Sequence, residues 1–110
     1  MKALIVFSTV SKEEDGVRLA RTLVEEKLAA CVNLVPRIRS FYRWKGEVQD
    51  DQETLLIIKT TENNYTLLEE RLKTLHGYEL PEIVAVTIDQ GEIRYLGWLA
   101  EMCGKNRESR

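Results

Sequence analysis

The sequence predicts an α+β domain in which strands and helices follow one another as β-α-β-β-α-β, with one more helix at the end. Three observations carry this prediction. Apolar, β-branched runs start near residues 2, 29, 54 and 83, and such runs are typical of buried strands. Two segments between them repeat apolar residues at steps of three and four, as helices packed on a sheet do. A third such segment ends before a polar tail at 105–110, which we expect to fray.

The composition indicates one globular domain, residues 1–110, and argues against several classes of protein. The 110 residues suffice for a single core. A net charge of -2 opposes nucleic-acid binding through a basic face. No apolar run is long enough to span a bilayer, and the first strand lacks the features of a signal peptide, so we expect a cytoplasmic protein without membrane contact. Cys31 and Cys103 have neither zinc-site nor disulfide-scaffold spacing.

The chain begins with a strand and a helix. Residues 2–10 are almost continuously apolar, which predicts a central strand. Ser11 and Glu14 have the spacing of a capping box, so we place the first helix at about 12–28. Its predicted buried stripe has helical spacing and consists of Val17, Ala20, Val24 and Leu28, with Leu23 beside it.

Two strands then form a long hairpin. The strand at 29–36 ends in Pro36, where we expect an edge position, a bulge or a bend because proline cannot donate to a ladder. β character resumes at 37–44, where Tyr42 and Trp44 share one face.

Turn residues separate this strand from the next. Lys45-Gly46 indicates a turn or bulge, Asp50-Asp51 indicates a second turn, and the next strand is predicted at 54–60. The hairpin is longer than so small a domain needs for its own core, and its exposed aromatic side chains favour a partner.

The second helix is followed by a polar connection, residues 76–83, which we call the corner. Polar residues at 61–64 supply N-cap candidates, and the buried stripe is Tyr65, Leu68, Leu72 and Leu75. Gly77 is predicted to stop the helix in the left-handed conformation that glycine adopts without steric cost. Pro81 forces the preceding residue out of the helical region.

A strand at 83–88 and a third helix complete the pattern. The predicted stripe of the third helix is Ile93, Leu96, Ala100 and Cys103, and Gly104 ends it. Split βαβ units of this kind predict a ferredoxin-like sandwich, in which two helices cover one face of a four-stranded antiparallel sheet. The opposite face must be covered by polar residues, by the third helix or by a partner.

The corner carries most of the candidate chemistry. His76, the only histidine, could bind a metal through a neutral imidazole, with Glu79, Glu82 or a residue of another subunit completing the site. A single histidine at a helix end can instead cap backbone carbonyls. Both roles stay open.

Several separated motifs carry a resemblance that covers nearly the whole chain. The chain resembles the CutA family of divalent-cation-tolerance proteins in Leu28-Ala29-Ala30-Cys31-Val32-Asn33, in Pro36, Ser40, Tyr42, Trp44, Lys45 and Gly46, in Lys59-Thr60, in His76, Tyr78, Glu79, Pro81, Glu82 and Ile83, and in Gly91, Tyr95, Leu96 and Trp98. The resemblance implies a ferredoxin-like protomer in a tight homotrimer, similar in architecture to the PII signalling proteins, with the long hairpin reaching onto neighbours. It also implies tolerance to divalent metals, copper especially, and metal binding.

The chain departs from that pattern at three positions. Some members have a cysteine near the end of the first strand and a histidine pair at the corner, where this chain has Ser8, Leu75 and His76. Many members have proline where this chain has Gly77. Only His76 therefore remains as a strong metal ligand, and the metal set is His76, Glu79 and Glu82.

A second set of residues is predicted to line a cleft or interface between subunits. Tyr42, Trp44, Lys59, Tyr78 and Glu82 could converge on a small-ligand pocket, although aromatic residues at interfaces also serve packing alone. Asn33 needs hydrogen-bond partners, across a subunit boundary or in a cleft. Cys31 is interpreted as core packing.

The chain shows no nucleophile elbow, phosphate-binding glycine loop or metalloenzyme signature. We therefore predict a non-enzymatic homotrimer that binds Cu²⁺, another divalent cation or a small ligand, without an organic cofactor. The alternative is a PII-like trimeric scaffold that binds an unidentified protein, with incidental metal binding. An enzyme would be indicated by steady turnover of a phosphoester or acyl substrate.

Overall fold

A computed structural model describes residues 2–104, so the predicted fraying of 105–110 lies outside the described residues. The elements follow the predicted order, as β1 (Ala3–Val10), α1 (Glu13–Glu25), β2 (Cys31–Trp44), β3 (Glu47–Thr61), α2 (Tyr65–Leu75), β4 (Val84–Thr87) and α3 (Ile93–Met102). A 3₁₀ turn, Glu62–Asn64, precedes α2. None of the helices in this part of the chain has the length and apolar character needed to cross a membrane.

The strands form one antiparallel sheet in the order β2-β3-β1-β4, so β1 is a central strand as predicted. Helices α1 and α2 pack together on one face of this sheet, which confirms the ferredoxin-like sandwich. The core between the helices and the sheet consists of buried apolar side chains, among them Val6, Leu19, Leu23, Leu56, Ile58, Leu68 and Leu72.

The start and the buried face of α1 differ from the prediction. The N-cap is Lys12, and no side chain caps the helix, so the predicted Ser11–Glu14 capping box is wrong. Leu19 and Leu23 are buried, whereas Val17 and Val24 of the predicted stripe are exposed. Helix α1 has two adjacent stripes of apolar residues, and their spacing alone does not tell which stripe faces the sheet.

The end of α1 also differs from the prediction, because a lysine takes the left-handed position that follows the helix. The helix stops at Glu25, and Lys27 takes the left-handed conformation with φ 62°. The amide of Lys27 donates to Val24 O and that of Leu28 donates to Leu23 O, which is a Schellman motif. Because lysine rather than glycine occupies the left-handed position, the sequence gives no stop signal and the predicted end at residue 28 is too late.

The hairpin is longer and more regular than predicted. Strand β2 is continuous through Pro36, and the predicted irregularity is confirmed as a break in register between Val35 and Ile38. Lys45 and Gly46 form the predicted turn, both with positive φ. The predicted second turn at Asp50-Asp51 is wrong, since these residues pair with β2 inside β3.

Two later predictions also need correction. Gly77 does not have positive φ, and α2 ends instead because His76 takes an extended conformation. In α3 the fully buried residue is Leu99, whereas Ile93 is 81% exposed. Glu92 caps this helix by accepting a hydrogen bond from the amide of Tyr95, and Gly104 beyond it has φ 52°, as a predicted helix stop should.

The sheet face opposite α1 and α2 leaves apolar side chains uncovered. We call it the helix-free face. Alternation along the strands places Phe7 of β1 and Ile57 of β3 on this face, and they pair across the two strands. On β4, Val84 and Val86 share the face and are 51% and 49% exposed. The helix-free face therefore exposes apolar side chains to water in the single chain.

Candidate functional site

His76 anchors the corner between α2 and β4. Its Nε2 atom lies 2.7 Å from the carbonyl oxygen of Thr9, and the amide of Tyr78 donates to its Nδ1 atom at 3.1 Å. Since Nδ1 accepts a hydrogen bond, the proton of a neutral ring must lie on Nε2, which then donates to Thr9. Both ring nitrogens are thus occupied. A metal could reach Nδ1 only if the Tyr78 amide were released.

Tyr78 connects the corner to the hairpin. Its hydroxyl donates to Glu53 Oε2 at 2.6 Å, and its ring packs on His76 with 4.9 Å between the ring centroids. Glu53 lies in β3 and is only 6% exposed. Burial raises the pKa of Tyr78 well above its ordinary value, and the hydrogen bond to the Glu53 carboxylate raises it further. The Tyr78 phenol therefore stays protonated and stays a donor.

A second pair of a phenol and a carboxylate lies nearby on the hairpin. The hydroxyl of Tyr42 donates to Asp51. That hydrogen bond raises the pKa of Tyr42, with smaller contributions from desolvation and from the charges of Asp51 and Glu53. The two pairs place acidic groups side by side on one face of the hairpin.

A cavity of about 730 Å³ opens between the hairpin and the corner. We call it the corner cleft. Aromatic rings and carboxylates share its lining, which includes Tyr42, Trp44, Glu53, Tyr78, Glu79 and Glu82. The structure thus brings together five residues that the sequence predicts for the site, plus Glu53. Glu53 was missed because the false turn at Asp50-Asp51 excluded it from the strand. Strict alternation from Leu55 could have placed it on the same face as Asp51.

The remaining predicted residues form a separate group on the helix-free face, which we call the lysine group. Lys59 Nζ donates to Asn33 Oδ1 at 2.7 Å, and Cys31 Sγ lies 3.8 Å from the same oxygen. Cys31 and Lys59 are direct partners across β2 and β3. Lys59 is six positions beyond Glu53 in β3, or roughly 20 Å along a strand. Within one chain, the lysine group therefore does not line the corner cleft.

The donor set of one chain does not form a closed copper site. Among residues 2–104, no group of three or more histidine, cysteine, aspartate and glutamate side chains is placed to hold a metal ion. Ser8 is fully buried in the core, and both nitrogens of His76 are engaged. The carboxylates of the corner cleft are hard oxygen donors, which suit copper less well than imidazole or thiolate does.

Comparison with known proteins identifies relatives over almost the entire chain. The model of the family described as CutA1 divalent ion tolerance protein matches residues 4–102. The divalent-cation tolerance protein CutA of Thermus thermophilus is 53% identical over 100 residues, which cover 91% of this chain and 97% of that protein. The chloroplastic CutA 1 of rice is 50% identical over 97 residues, but this chain spans only 55% of its length, and about half of several other plant and animal relatives.

Solved structures of such proteins have the same fold. The Thermus thermophilus structure superposes with a TM-score of 0.91 at 52% identity, covering 93% of this chain and 99% of that one. The rice structure gives 0.93 at 46% identity and covers 96% of both chains. A periplasmic divalent cation tolerance protein from Archaeoglobus fulgidus gives 0.88 at 34% identity, with 91% and 97% coverage. Relatives are thus described from more than one compartment.

Proposed function

Since this chain belongs to the CutA1 family of divalent ion tolerance proteins, we propose that it is a homotrimer whose inter-subunit clefts bind a divalent cation, with copper as one candidate, or a small ligand. In this proposal the protein is cytoplasmic, needs no organic cofactor and catalyses no reaction. The proposal requires an association surface and a cation-attracting site that one chain leaves incomplete. The hairpin supplies the first, and the corner cleft supplies the second.

The observation that carries the proposal is a hairpin with two unpaired edges of opposite charge. Strand β2 lies at the edge of the sheet, and β1 pairs only with residues 54–61 of β3. The outer edge of β2 and the far edge of residues 47–53 are therefore open within the described part of the chain. The strand at the first edge has the basic residues Arg37, Arg39 and Arg43, and the strand segment at the second has the acidic residues Glu47, Asp50, Asp51 and Glu53. Of these, Arg39 and Asp50 already form an ion pair within the hairpin.

Such edges suit head-to-tail pairing between copies. When the acidic edge of one copy adds to the basic edge of the next, backbone hydrogen bonds form and opposite charges become cross-strand neighbours. A heterologous contact of this kind closes into a ring if its rotation allows. Ring closure would also bring the helix-free faces together and remove Val84 and Val86 from water.

The corner cleft supplies the attraction for a cation. Glu53, Glu79 and Glu82 provide carboxylates there. The donor set within one chain is too sparse for a closed metal site, so a neighbouring copy must complete the coordination. His76 serves this site most directly by holding the corner in place, and it becomes a metal ligand only when its bond from the Tyr78 amide is broken.

The occupied His76 ring also supports the second candidate, a PII-like scaffold that binds another protein and meets metal only incidentally. The two candidates differ in saturable cation uptake. Under the first, the trimer takes up a fixed number of ions per chain, and the paired variant Glu79→Gln with Glu82→Gln loses that uptake. Under the second, uptake is weak, unsaturable and indifferent to both changes.

Charge reversal tests the association surface. Arg37→Glu with Arg43→Glu makes both open edges acidic and keeps the Arg39–Asp50 ion pair within the hairpin, so the trimer should weaken by at least about tenfold because like charges oppose each other across a strand pair. Adding Glu47→Lys returns an opposite charge and should recover part of the trimer. Arg21→Glu on the exposed side of α1 is the matched control. A trimer indifferent to the first pair of changes would exclude edge pairing, and a monomeric natural chain would exclude the trimer.

A further inference from the structure

We infer that the corner cleft recognises a small organic cation through an alkylammonium or guanidinium group. This inference rests on the proposed function, because it names the ligand class of the same cleft. It goes beyond a divalent ion, which needs oxygen donors but gains little from aromatic walls. Three features of the cleft carry it: size, charge and aromatic lining.

The size suits a small molecule better than a bare ion. Ligand pockets in proteins are commonly about 300–1,000 Å³, and the corner cleft measures about 730 Å³. A metal ion with its donors fills only a small part of such a volume. The remainder is bounded by rings and by the aliphatic side chain of Leu80. Those surfaces can cover an alkyl chain.

The charge of the lining favours a cation. Three carboxylates, those of Glu53, Glu79 and Glu82, line the cleft together with one cationic side chain, that of Arg43. Glu53 is 6% exposed, and its hydrogen-bond donor in the described part of the chain is the Tyr78 hydroxyl. A carboxylate can accept several hydrogen bonds, so a donor-rich cation in the cleft can bond to Glu53 beside the Tyr78 hydroxyl.

The aromatic rings make the attraction specific for an organic cation. Phe41, Tyr42, Trp44 and Tyr78 all line the cleft. The protein's own cations already lie over two of these rings, with Arg39 Cζ at 5.3 Å from the Phe41 centroid and Lys45 Nζ at 5.9 Å from the Trp44 centroid. Cation–π attraction draws weakly hydrated ammonium and guanidinium groups to ring faces. Carboxylates beyond the rings add charge-assisted hydrogen bonds.

The test compares two probes of one shape. Butylguanidinium chloride carries the charge, and butylurea is its neutral analogue. Each is titrated into the full chain while the indole N–H signals of Trp44 and Trp98 are followed by NMR. Trp98 lies in α3 and serves as the internal control. We expect butylguanidinium to shift the Trp44 signal with saturation, and butylurea to bind at least about tenfold more weakly.

Variants assign the binding to the carboxylates. Glu53→Gln and, at the exposed corner, Glu82→Gln should each weaken butylguanidinium binding several-fold, whereas Glu101→Gln on α3 should leave it unchanged. Equal binding of the two probes, absence of saturation, or indifference to Glu82→Gln would overturn the inference. Mn²⁺ and Cu²⁺ uptake is measured on the same samples. A trimer that takes up metal but does not bind butylguanidinium would exclude only this inference. A chain that neither assembles nor binds a cation would exclude the proposed function as well.

Discussion

The Nε2 atom of His76 lies 2.7 Å from the carbonyl oxygen of Thr9, a residue 67 positions earlier in the chain. This hydrogen bond ties the corner after α2 to the end of the central strand β1. The Tyr78 amide donates to the other ring nitrogen of His76, so the histidine also holds Tyr78, whose hydroxyl donates to Glu53. One histidine thereby connects the central strand, the corner and the hairpin around the corner cleft.

His76→Ala should destabilise the fold by about 1–3 kcal/mol, because the carbonyl of buried Thr9 and the Tyr78 amide each lose a partner. The measurement is urea unfolding at neutral pH. Glu79→Gln, three residues away and exposed, is the control and should change the free energy of unfolding by less than about 0.5 kcal/mol. Equal stabilities of the His76→Ala variant and the natural chain would show that the histidine does not hold the corner.

The sequence supports the order of elements because their apolar patterns are strong and well separated. It could not identify the role of His76, since Thr9 is distant in the chain and a backbone carbonyl leaves no mark in a sequence. The corner motif nevertheless drew attention to the right segment. Its proline, glycine and charged residues indicate a tight connection whatever its partners are.

Tyr78→Phe should destabilise the protein at neutral pH by about 1–3 kcal/mol, because buried Glu53 loses its hydrogen-bond donor. In a Glu53→Leu background the same change should cost much less, since no carboxylate remains to be satisfied. The measurement is a double-mutant cycle by urea unfolding. Equal costs in the two backgrounds would show that the hydrogen bond contributes nothing.

Tyr78 should also make stability fall at high pH. Its pKa is raised in the folded state, whereas in the unfolded chain it is about 10. Above about pH 10 the folded state therefore holds a proton that the unfolded state has lost, so the free energy of unfolding decreases as the pH rises. Urea midpoints at pH 9 and pH 11 should differ less in Tyr78→Phe than in the natural chain. An unchanged difference would contradict the raised pKa.

Two glycines near the C-terminal helix should respond to alanine in opposite ways. Gly104 has φ 52°, and an added Cβ would collide with the side chain of Asn64, so Gly104→Ala should destabilise by more than about 1 kcal/mol. Gly97 lies within α3 with open space around it, so Gly97→Ala should stabilise by about 0.5–1 kcal/mol. Melting temperatures measure both changes, and the same sign for both would contradict the structure.

The hydroxyl of Ser8 is fully buried, and its Oγ atom has no hydrogen-bond partner among residues 2–104. Ser8→Ala should therefore stabilise the protein by about 1 kcal/mol, because removal of an unpaired buried polar group ends its desolvation cost. Ser11→Ala is the matched control at an exposed position that caps nothing, and it should be nearly neutral. A destabilised Ser8→Ala variant would indicate that the hydroxyl has a partner after all.

Two errors of sequence interpretation have different physical origins. The helix α1 ends after Glu25 through local backbone hydrogen bonds around Lys27, although lysine rarely takes the left-handed conformation. The strand β3 continues through Asp50-Asp51 because its pairing with β2 overrides local propensity. In β3, Arg39 forms an ion pair with Asp50 and Tyr42 binds Asp51, which supports strand residues that would otherwise favour a turn. The corner cleft depends on that override, since it places Glu53 inside the strand.

The most direct test of the central claim is native mass spectrometry of the full chain, with Mn²⁺, Cu²⁺ or butylguanidinium added in separate titrations. The account predicts a species of three chains that saturates with a fixed number of cations per chain, and a loss of that uptake in the paired variant Glu79→Gln with Glu82→Gln. A monomer, or a trimer whose cation uptake rises without saturation and is the same in that variant, would contradict it.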